Sequence, residues 1–210
     1  MILLQKSFSL CYNVYMDANK ELKKLIEKVD SEGITPSLLL HACCAPCASY
    51  PLELLAPHFD VTLLYYNPNI TERAEYEKRL RELERLSHEF GFNVIDGGFF
   101  ENAFFDAVKG LEREPERGSR CTVCFDMRLK ETARLAKGKF DYFATTLTLS
   151  PLKNASLINE IGLKYSSEST KYLPTDFKKN GGNQRSIELS KKYNLYRQNY
   201  CGCLFSKRKD

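Results

Sequence analysis

The chain has 210 residues, of which 43% are hydrophobic, and its 31 Lys and Arg against 27 Asp and Glu give a net charge of +4. This composition suits one globular domain with an ordinary core. No stretch approaches the ~20 apolar residues of a membrane span, and the start lacks the basic region and cleavage site of a signal peptide. We therefore expect a cytoplasmic protein without membrane association. Its eight cysteines should stay reduced and serve metal binding or catalysis rather than structural disulfides.

Predicted helices and strands alternate along most of the chain. Apolar residues at helical spacing predict the helices, and short apolar runs bounded by turn residues predict the strands. The longest helix is expected to be capped by Thr71 and to end at Gly91. In chain order, the predicted elements are helix 18–29, strand 37–42, helix 46–56, strand 60–66, helix 71–90, strand 92–95, helix 101–108, helix 122–136, strand 141–147, a loop and helix from 150, strand 172–177 and helix 183–193.

This alternation predicts an α/β fold, in which a parallel sheet is covered by helices on both faces. We expect a single domain over 1–210. Within it, residues 1–35 would form an N-terminal helical segment, residues 36–165 the α/β core, and residues 166–210 a basic C-terminal segment with a helical extension.

Polar and thiol side chains follow two of the predicted strands. A cysteine cluster comes directly after strand 37–42, Thr145-Thr146 lie near the carboxyl end of strand 141–147, and Ser150-Pro151 follow that strand. Ligands of parallel sheets bind beyond the carboxyl ends of the strands. These groups are therefore expected to converge on one edge of the sheet.

Seven of the cysteines fall into three tight clusters, and closely spaced thiols are typical of metal or redox centres. A Cys-x-x-Cys pair directs both sulfurs at one point, and helix N-termini beside the thiols favour thiolates. The spacing favours an iron–sulfur cluster, with structural zinc and metal-free thiol chemistry as alternatives. Cys11 stands alone and is expected to have no role. The clusters are Cys43, Cys44 and Cys47; Cys121 and Cys124; and Cys201 and Cys203.

Several residues near these clusters allow more than one interpretation. Cys47 is a fifth ligand, a ligand to a second metal, or a buried thiol. Asp126 would bind a second metal or move a proton, or it would only complement the first turn of its helix. His41 would ligate or simply finish its strand. The Cys201-Gly-Cys203 segment can close a strained, easily reduced disulfide and so carry two electrons, or it supplies metal ligands or idle thiols.

The last quarter of the chain is basic. Residues 162–210 contain 11 Lys and Arg against 4 Asp and Glu, with Tyr193, Tyr196 and Tyr200 interleaved. This pattern fits contact with a nucleic-acid backbone, although a lysine-rich face is also typical of an ordinary solvated surface.

Longer motifs resemble one family, the epoxyqueuosine reductases of the QueH type, which complete the queuosine modification of tRNA without cobalamin. The resemblance runs from Leu38 to Phe205. The segments that carry it are HACCAPCAS at 41–49, YYNPNI at 65–70, ERGSRCTVCFDMRLKETA at 116–133, TTLTLSPLK at 145–153, DFKKNGGNQRSIELS at 176–190 and YRQNYCGC at 196–203.

The resemblance implies a tRNA-modifying oxidoreductase that removes the epoxide oxygen of epoxyqueuosine in the anticodon loop. It implies a 4Fe–4S cluster on Cys43, Cys44, Cys121 and Cys124, and electrons from an unidentified donor. Cys201 and Cys203 match the family's redox-active pair. One additional iron, held by Cys47 or Asp126, is a further expectation.

The family is also similar to the PP-loop ATPases, which implies a HUP-like sheet. The phosphate-binding loop of those enzymes is replaced by the Cys43–Cys47 segment after the strand. Without a glycine-rich backbone to bind phosphate, no use of ATP is expected.

The substrate-binding candidates lie in two places. The first group follows a strand, at Tyr66, Asn67, Asn69 and Arg73. The second lies in the basic segment, at Arg185, Arg197 and Gln198. Two other functions fit parts of the sequence: a PP-loop-like tRNA sulfur transferase with an iron–sulfur cluster, which would need ATP, and a non-catalytic zinc module that binds RNA.

Overall fold

In the computed structural model, which describes residues 17–207, five parallel strands form one sheet. Their order is β3-β2-β1-β4-β5. The strands are β1 (Ser37–His41), β2 (Asp60–Tyr65), β3 (Asn93–Asp96), β4 (Tyr142–Thr145) and β5 (Lys171–Tyr172). The helices are α1 (Ala18–Glu32), α2 (Ala45–Leu55), α3 (Arg73–Phe90), α4 (Ala103–Ala107), α5 (Ser119–Ala136), α6 (Ala155–Lys164) and α7 (Gly182–Lys192). The expectation for Cys11 falls outside the described residues.

The predicted α/β class is confirmed, and the side-chain pattern of the central strand explains it. Leu38 and Leu40 pack into the core on one face of the sheet, and Leu39 packs into the core on the other. Successive side chains of a strand point to opposite faces, so the apolar run of β1 is buried against helices on both sides. None of the described helices is both long and apolar enough to span a bilayer.

Several element boundaries differ from prediction, including the N-terminal end of α5 at Ser119, and three of the differences are informative. Glu72, not Thr71, is the N-cap of α3, although Gly91 ends that helix in the left-handed conformation as expected. β4 ends at Thr145 because its hydroxyl accepts a hydrogen bond from the backbone of Leu147, which starts a 3-10 turn over Thr146–Leu149. The last predicted strand is only two residues long, at Lys171–Tyr172.

The basic C-terminal segment folds back onto the core. Helix α7 packs on α2, where the hydroxyl of Ser186 donates a hydrogen bond of 2.6 Å to the carbonyl of Pro46. The close approach begins at Gly182, where a Cβ atom would lie 1.9 Å from the carbonyl oxygen of Phe177 and 2.4 Å from the ring of Tyr50. This packing brings the residues after α7 to the carboxyl edge of the sheet.

Gly182→Ala should therefore loosen α7 from α2. We expect it to lower the free energy of unfolding by about 3 kcal/mol, because the added methyl group has no space. Gly181→Ala is the matched control: its φ is +79° with nothing within 4 Å of the added atom, so only backbone strain of about 1 kcal/mol is expected. Urea denaturation followed by circular dichroism measures both. If both variants lose the same free energy of unfolding, the close contact at Gly182 does not account for the loss.

Candidate metal and thiol site

The first thiol cluster lies where β1 leads into α2. Cys44 is the N-cap of α2, with extended backbone (φ −175°, ψ 164°), and no side chain caps this helix end. The sharp change from strand to helix brings Cys43 Sγ to 3.9 Å from Cys44 Sγ. The sulfurs of Cys43, Cys44 and Cys47 all lie within 4.8 Å of one another. Within residues 17–207 this is the one group of three or more such ligand atoms at that spacing.

The three thiols differ in their pKa values. Thiol hydrogen bonds from Cys44 and Cys47 hold the pKa of Cys43 well below its usual value. The hydrogen bond to Cys43 raises the pKa of Cys44 to about 12, and Cys43 likewise raises the pKa of Cys47. Without a metal, the cluster thus accommodates one thiolate, and a bound metal would have to displace further protons.

The second cluster lies at the start of α5. Gly118 is the N-cap of this helix, and Cys121 and Cys124 lie in its first two turns. The carboxylate of Glu114 accepts a 3.0 Å hydrogen bond from the backbone amide of Ser119, the first residue of the helix. The backbone amide of Arg117 donates a 3.2 Å hydrogen bond to Cys121 Sγ. Cys124 is buried, and burial raises the pKa of its thiol to about 11.

The third cluster joins the first two through two cavities. A cavity of about 320 Å³ is lined by Cys43, Cys47 and Cys201. A smaller one of about 80 Å³ is lined by Cys121, Cys124, Cys201 and Cys203. Among the described thiols, only Cys201 lines both. The chain thus gathers all three clusters at the carboxyl edge of the sheet.

Two cations that sequence reasoning missed lie among these thiols. Arg128 is 1% exposed, and its Nη2 donates a 3.3 Å hydrogen bond to Cys124 Sγ. Its Nε and Nη1 have no hydrogen-bond partner among residues 17–207. The sequence signal was present: Arg128 follows Cys124 by one helical turn, so both lie on the same face of α5.

Lys153 is the second cation, and it lines both cavities. Burial disfavours its charged form, but the neighbouring groups of Cys201, Cys43 and Cys47 outweigh that cost and raise its pKa. The site therefore carries fixed positive charge that suits an anionic occupant.

His41 ties the ends of three strands together beneath the thiols. Its Nε2 lies 3.0 Å from the carbonyl of Tyr66, which can only accept, and its Nδ1 lies 2.8 Å from Thr145 Oγ1. The proton must therefore be on Nε2. Burial lowers the pKa of His41 to about 4, which keeps the ring neutral. These contacts occupy both ring nitrogens, as in a strand-finishing role.

The structure brings the predicted cluster ligands to one edge of the sheet, though not into one tight group. Cys43 and Cys44 group with Cys47, whereas Cys121 and Cys124 line the adjoining cavity. The corners of a four-iron cluster are several ångströms apart, so this arrangement suits thiols supplied from two sides. The ligand set stays a prediction.

The first three substrate-binding candidates after β2 contact other residues of the protein rather than a cavity. Asn67 and Asn69 are fully buried: the first donates to the carbonyl of Ala42, and the second makes a long 3.4 Å contact with the carbonyl of Cys201. Tyr66 packs edge-on against Phe100. None of these side chains lines the two thiol cavities.

Arg73 also lies outside both cavities, on the exposed start of α3, where it pairs with Glu77 and lies over the ring of Phe99. A role for it in substrate binding stays a prediction.

The three candidates in the basic segment differ in whether they line a cavity. Gln198 donates a 3.0 Å hydrogen bond to Cys44 Sγ, and Arg197 donates to Ser190 Oγ; both line the larger cavity. Arg185 instead makes a two-pronged contact with the carboxylate of Glu53 at 2.8 and 2.7 Å. Its guanidinium is thus engaged on the surface, away from the cavities.

Asp126 contacts α6 rather than lining a cavity. Its carboxylate accepts a 2.7 Å hydrogen bond from the hydroxyl of Tyr165, which joins α5 to the end of α6. It lines neither cavity. Its metal-binding or proton-transfer role stays a prediction that this contact does not favour.

Comparison with known proteins gives a consistent picture. A family model described as "Epoxyqueuosine reductase QueH" matches residues 38–209. A curated relative of that name from Staphylococcus epidermidis is 43% identical over 207 residues, covering 94% of this chain and 87% of the relative. Another from Streptococcus pyogenes serotype M1 is 40% identical over 202 residues, covering 92% and 79%.

A solved structure supports the fold. The U34-tRNA thiolase NcsA from Methanococcus maripaludis, with its [4Fe-4S] cluster, matches with a TM-score of 0.58 at 16% identity, covering 91% of this chain and 69% of that one. This likeness shows that the two chains share an α/β fold.

His41→Ala should lower the free energy of unfolding by about 3 kcal/mol, because it leaves a cavity, an unpaired carbonyl at Tyr66 and an unpaired hydroxyl at Thr145. His58→Ala is the control. His58 is also hydrogen-bonded, but to the carboxylate of Asp30 at the protein surface, so a change within about 0.5 kcal/mol is expected. Chemical denaturation of both variants measures the difference. If the two variants lose equal stability, His41 does not hold the strand ends.

Proposed function

Because the chain belongs to the epoxyqueuosine reductase QueH family, we propose that it reduces the epoxide of epoxyqueuosine in tRNA to give queuosine. In this reaction both carbon–oxygen bonds of the epoxide break and a carbon–carbon double bond forms. The oxygen leaves as water, so each turnover consumes two electrons and two protons. The protein is thus an oxidoreductase of tRNA modification, and we place it in the cytoplasm with its substrate.

One observation carries this proposal: Cys201 lines the two cavities that also contain the other thiol clusters. A two-electron reduction needs a store of electrons beside the place where substrate binds. Oxidation of the Cys201–Cys203 dithiol to a disulfide releases two electrons and two protons, which is the amount that the epoxide consumes. We propose that this pair recharges the site between turnovers, with electrons from a donor not yet identified.

The residues present fit an iron–sulfur cluster. The donor set is made of thiols, and thiolates are the ligands of such clusters. The buried Nε and Nη1 of Arg128, which have no partner among residues 17–207, can donate hydrogen bonds to an anionic group between the clusters. Hydrogen bonds to cluster sulfurs are known to tune reduction potentials.

We propose that Cys43, Cys44, Cys121 and Cys124 hold a 4Fe–4S cluster and that Cys47 is available to one additional metal. When bound, the cluster would supply single electrons and a Lewis-acidic iron. The chain itself supplies the fixed charge: Arg128 contacts Cys124, and Lys153 lines both cavities. These cations stabilise a reduced, more negative site.

The larger cavity is the proposed substrate pocket. Its volume of about 320 Å³ is within the range of small-molecule sites. Arg197, Gln198 and Tyr200 line it opposite Cys43, and they offer charge, an amide and an aromatic ring to a base displaced from the anticodon loop. Arg185 and the other basic residues of the C-terminal segment would contact phosphates outside the pocket.

The rival function of sulfur transfer predicts a requirement for ATP. In this chain, Cys43 and Cys44 occupy the strand-to-helix turn, where a phosphate-binding loop would lie. We therefore expect the purified enzyme, reconstituted without oxygen, to convert epoxyqueuosine tRNA in the absence of ATP. Dependence on ATP would favour sulfur transfer, and zinc in place of iron together with no conversion of the substrate would favour the non-catalytic RNA-binding module.

Single Cys→Ser variants test the ligand set. We expect about four irons and four sulfides per chain in the wild type, loss of visible absorbance in Cys44→Ser and Cys124→Ser, and retention in Cys47→Ser and Cys203→Ser. Iron and sulfide quantification after anaerobic reconstitution gives the readout. If Cys124→Ser keeps its absorbance while Cys47→Ser loses it, the proposed set is wrong and the cluster is held around the first thiol group.

Cys203→Ser should separate electron supply from cluster binding. Serine cannot form a disulfide, so multiple turnovers should fall at least about tenfold, whereas a single turnover of pre-reduced enzyme should stay near the wild-type rate. Cys201→Ser should show the same decrease in multiple turnover as Cys203→Ser. Chemical quench measurements under anaerobic conditions compare the two regimes. An equal loss in single turnover would place Cys203 in the chemical step instead.

A further inference from the structure

The first turns of α3 form a dock for the segment that carries Cys201 and Cys203. Glu72 accepts from the hydroxyl of Tyr200 and from Lys207. Glu75 lies 3.3 Å from the hydroxyl of Tyr196 through both of its carboxylate oxygens. These contacts join residues more than 120 positions apart in sequence, so they fix where the C-terminal segment crosses the site.

Arg79 is the buried centre of this dock. It is 1% exposed, and its Nε donates a 2.6 Å hydrogen bond to Glu75. Its Nη1 donates to the carbonyl of Cys201 at 3.2 Å, and its Nη2 points to the carbonyl of Tyr200 at 3.5 Å. A planar guanidinium can reach a carboxylate and two neighbouring carbonyls at once, which an ammonium cannot do.

Gly202 shows how closely the loop follows Arg79. Its φ of +106° lies in a region that side chains rarely adopt, and an added Cβ would lie 2.7 Å from Ile70 Cγ1 and 3.0 Å from Arg79 Nη1. The backbone between the two cysteines therefore rests directly on α3. Arg79 also lines the larger cavity together with Cys43, Cys47 and Cys201.

We propose that Arg79 is a positioning residue that holds the Cys201-Gly-Cys203 loop between the two thiol cavities. Arg79 binds the loop through backbone carbonyls rather than through sulfur, so its hydrogen bonds do not depend directly on whether Cys201 and Cys203 are thiols or a disulfide. This inference rests on the proposed redox role of the pair.

The test compares Arg79→Met with Arg79→Lys and with Arg81→Met, a control on the exposed side of the same helix. Reconstituted enzyme is treated with iodoacetamide, and alkylation of each cysteine is followed by peptide mass spectrometry. We expect Cys203, which is 9% exposed, to react about tenfold faster in Arg79→Met, as loss of buried charge-assisted hydrogen bonds implies. Arg79→Lys should be intermediate, and Arg81→Met should match the wild type.

Two further measurements separate positioning from general loss of structure. Iron content and the alkylation of Cys124 should stay within about twofold of wild type in Arg79→Met, as expected for release of a local segment. Deuterium uptake should rise over residues 197–203 and not over β1. If Cys124 is exposed in parallel with Cys203, or if Cys203 reactivity does not change, the inference is wrong.

A separate measurement tests the proposed redox role of Cys201 and Cys203. Wild-type enzyme incubated in oxidised glutathione should form a Cys201–Cys203 disulfide that is detected by mass spectrometry. If that disulfide never forms, the pair does not store electrons, whatever Arg79→Met does. If it forms, and the alkylation rates of Arg79→Met match the wild type, the redox role stands and the role of Arg79 does not.

Discussion

The site depends on the burial of a guanidinium among thiols. Moving an ion out of water costs several kcal/mol, and removing its partner leaves that cost uncompensated. Arg128 meets this constraint by contact with Cys124 Sγ, with two further nitrogens directed at no other described residue. A site built in this way is more stable with negative charge between its walls, which is the condition that an iron–sulfur cluster with thiolate ligands satisfies. The start of α2 at Cys44, whose side chain makes no capping hydrogen bond, adds partial positive charge beside the first thiol cluster.

Much of the fold could be predicted from the sequence because its signals are local. The apolar runs of β1 and β2 and the amphipathic pattern of α3 depend on nearby residues, and their positions agree with the prediction to within two residues. The end of β4 could not be predicted, because it depends on whether the hydroxyl of Thr145 turns back to the backbone of Leu147. The edge at which the thiols meet followed from the parallel order of the strands.

The details of the site were harder to predict because they depend on contacts across long stretches of chain. Gln198 reaches Cys44 over 154 positions, and Arg79 reaches Cys201 over 122. No periodicity or spacing reveals such pairs. Asn67 is another example: its place after a strand predicted substrate binding, which stays a prediction, whereas its burial and its hydrogen bond to the backbone of Ala42 became visible only in the structure.

The strands and α-helices lie in one part of the chain, and the third thiol cluster lies in the segment that follows them. All five strands and all seven α-helices of the described chain end before Tyr193, whereas Gln198, Cys201 and Cys203 come after it. Loss of the residues beyond α7 would therefore remove the third thiol group and leave every strand and α-helix in the chain. Such a remnant would pass an ordinary test of folding while the proposed electron store was missing.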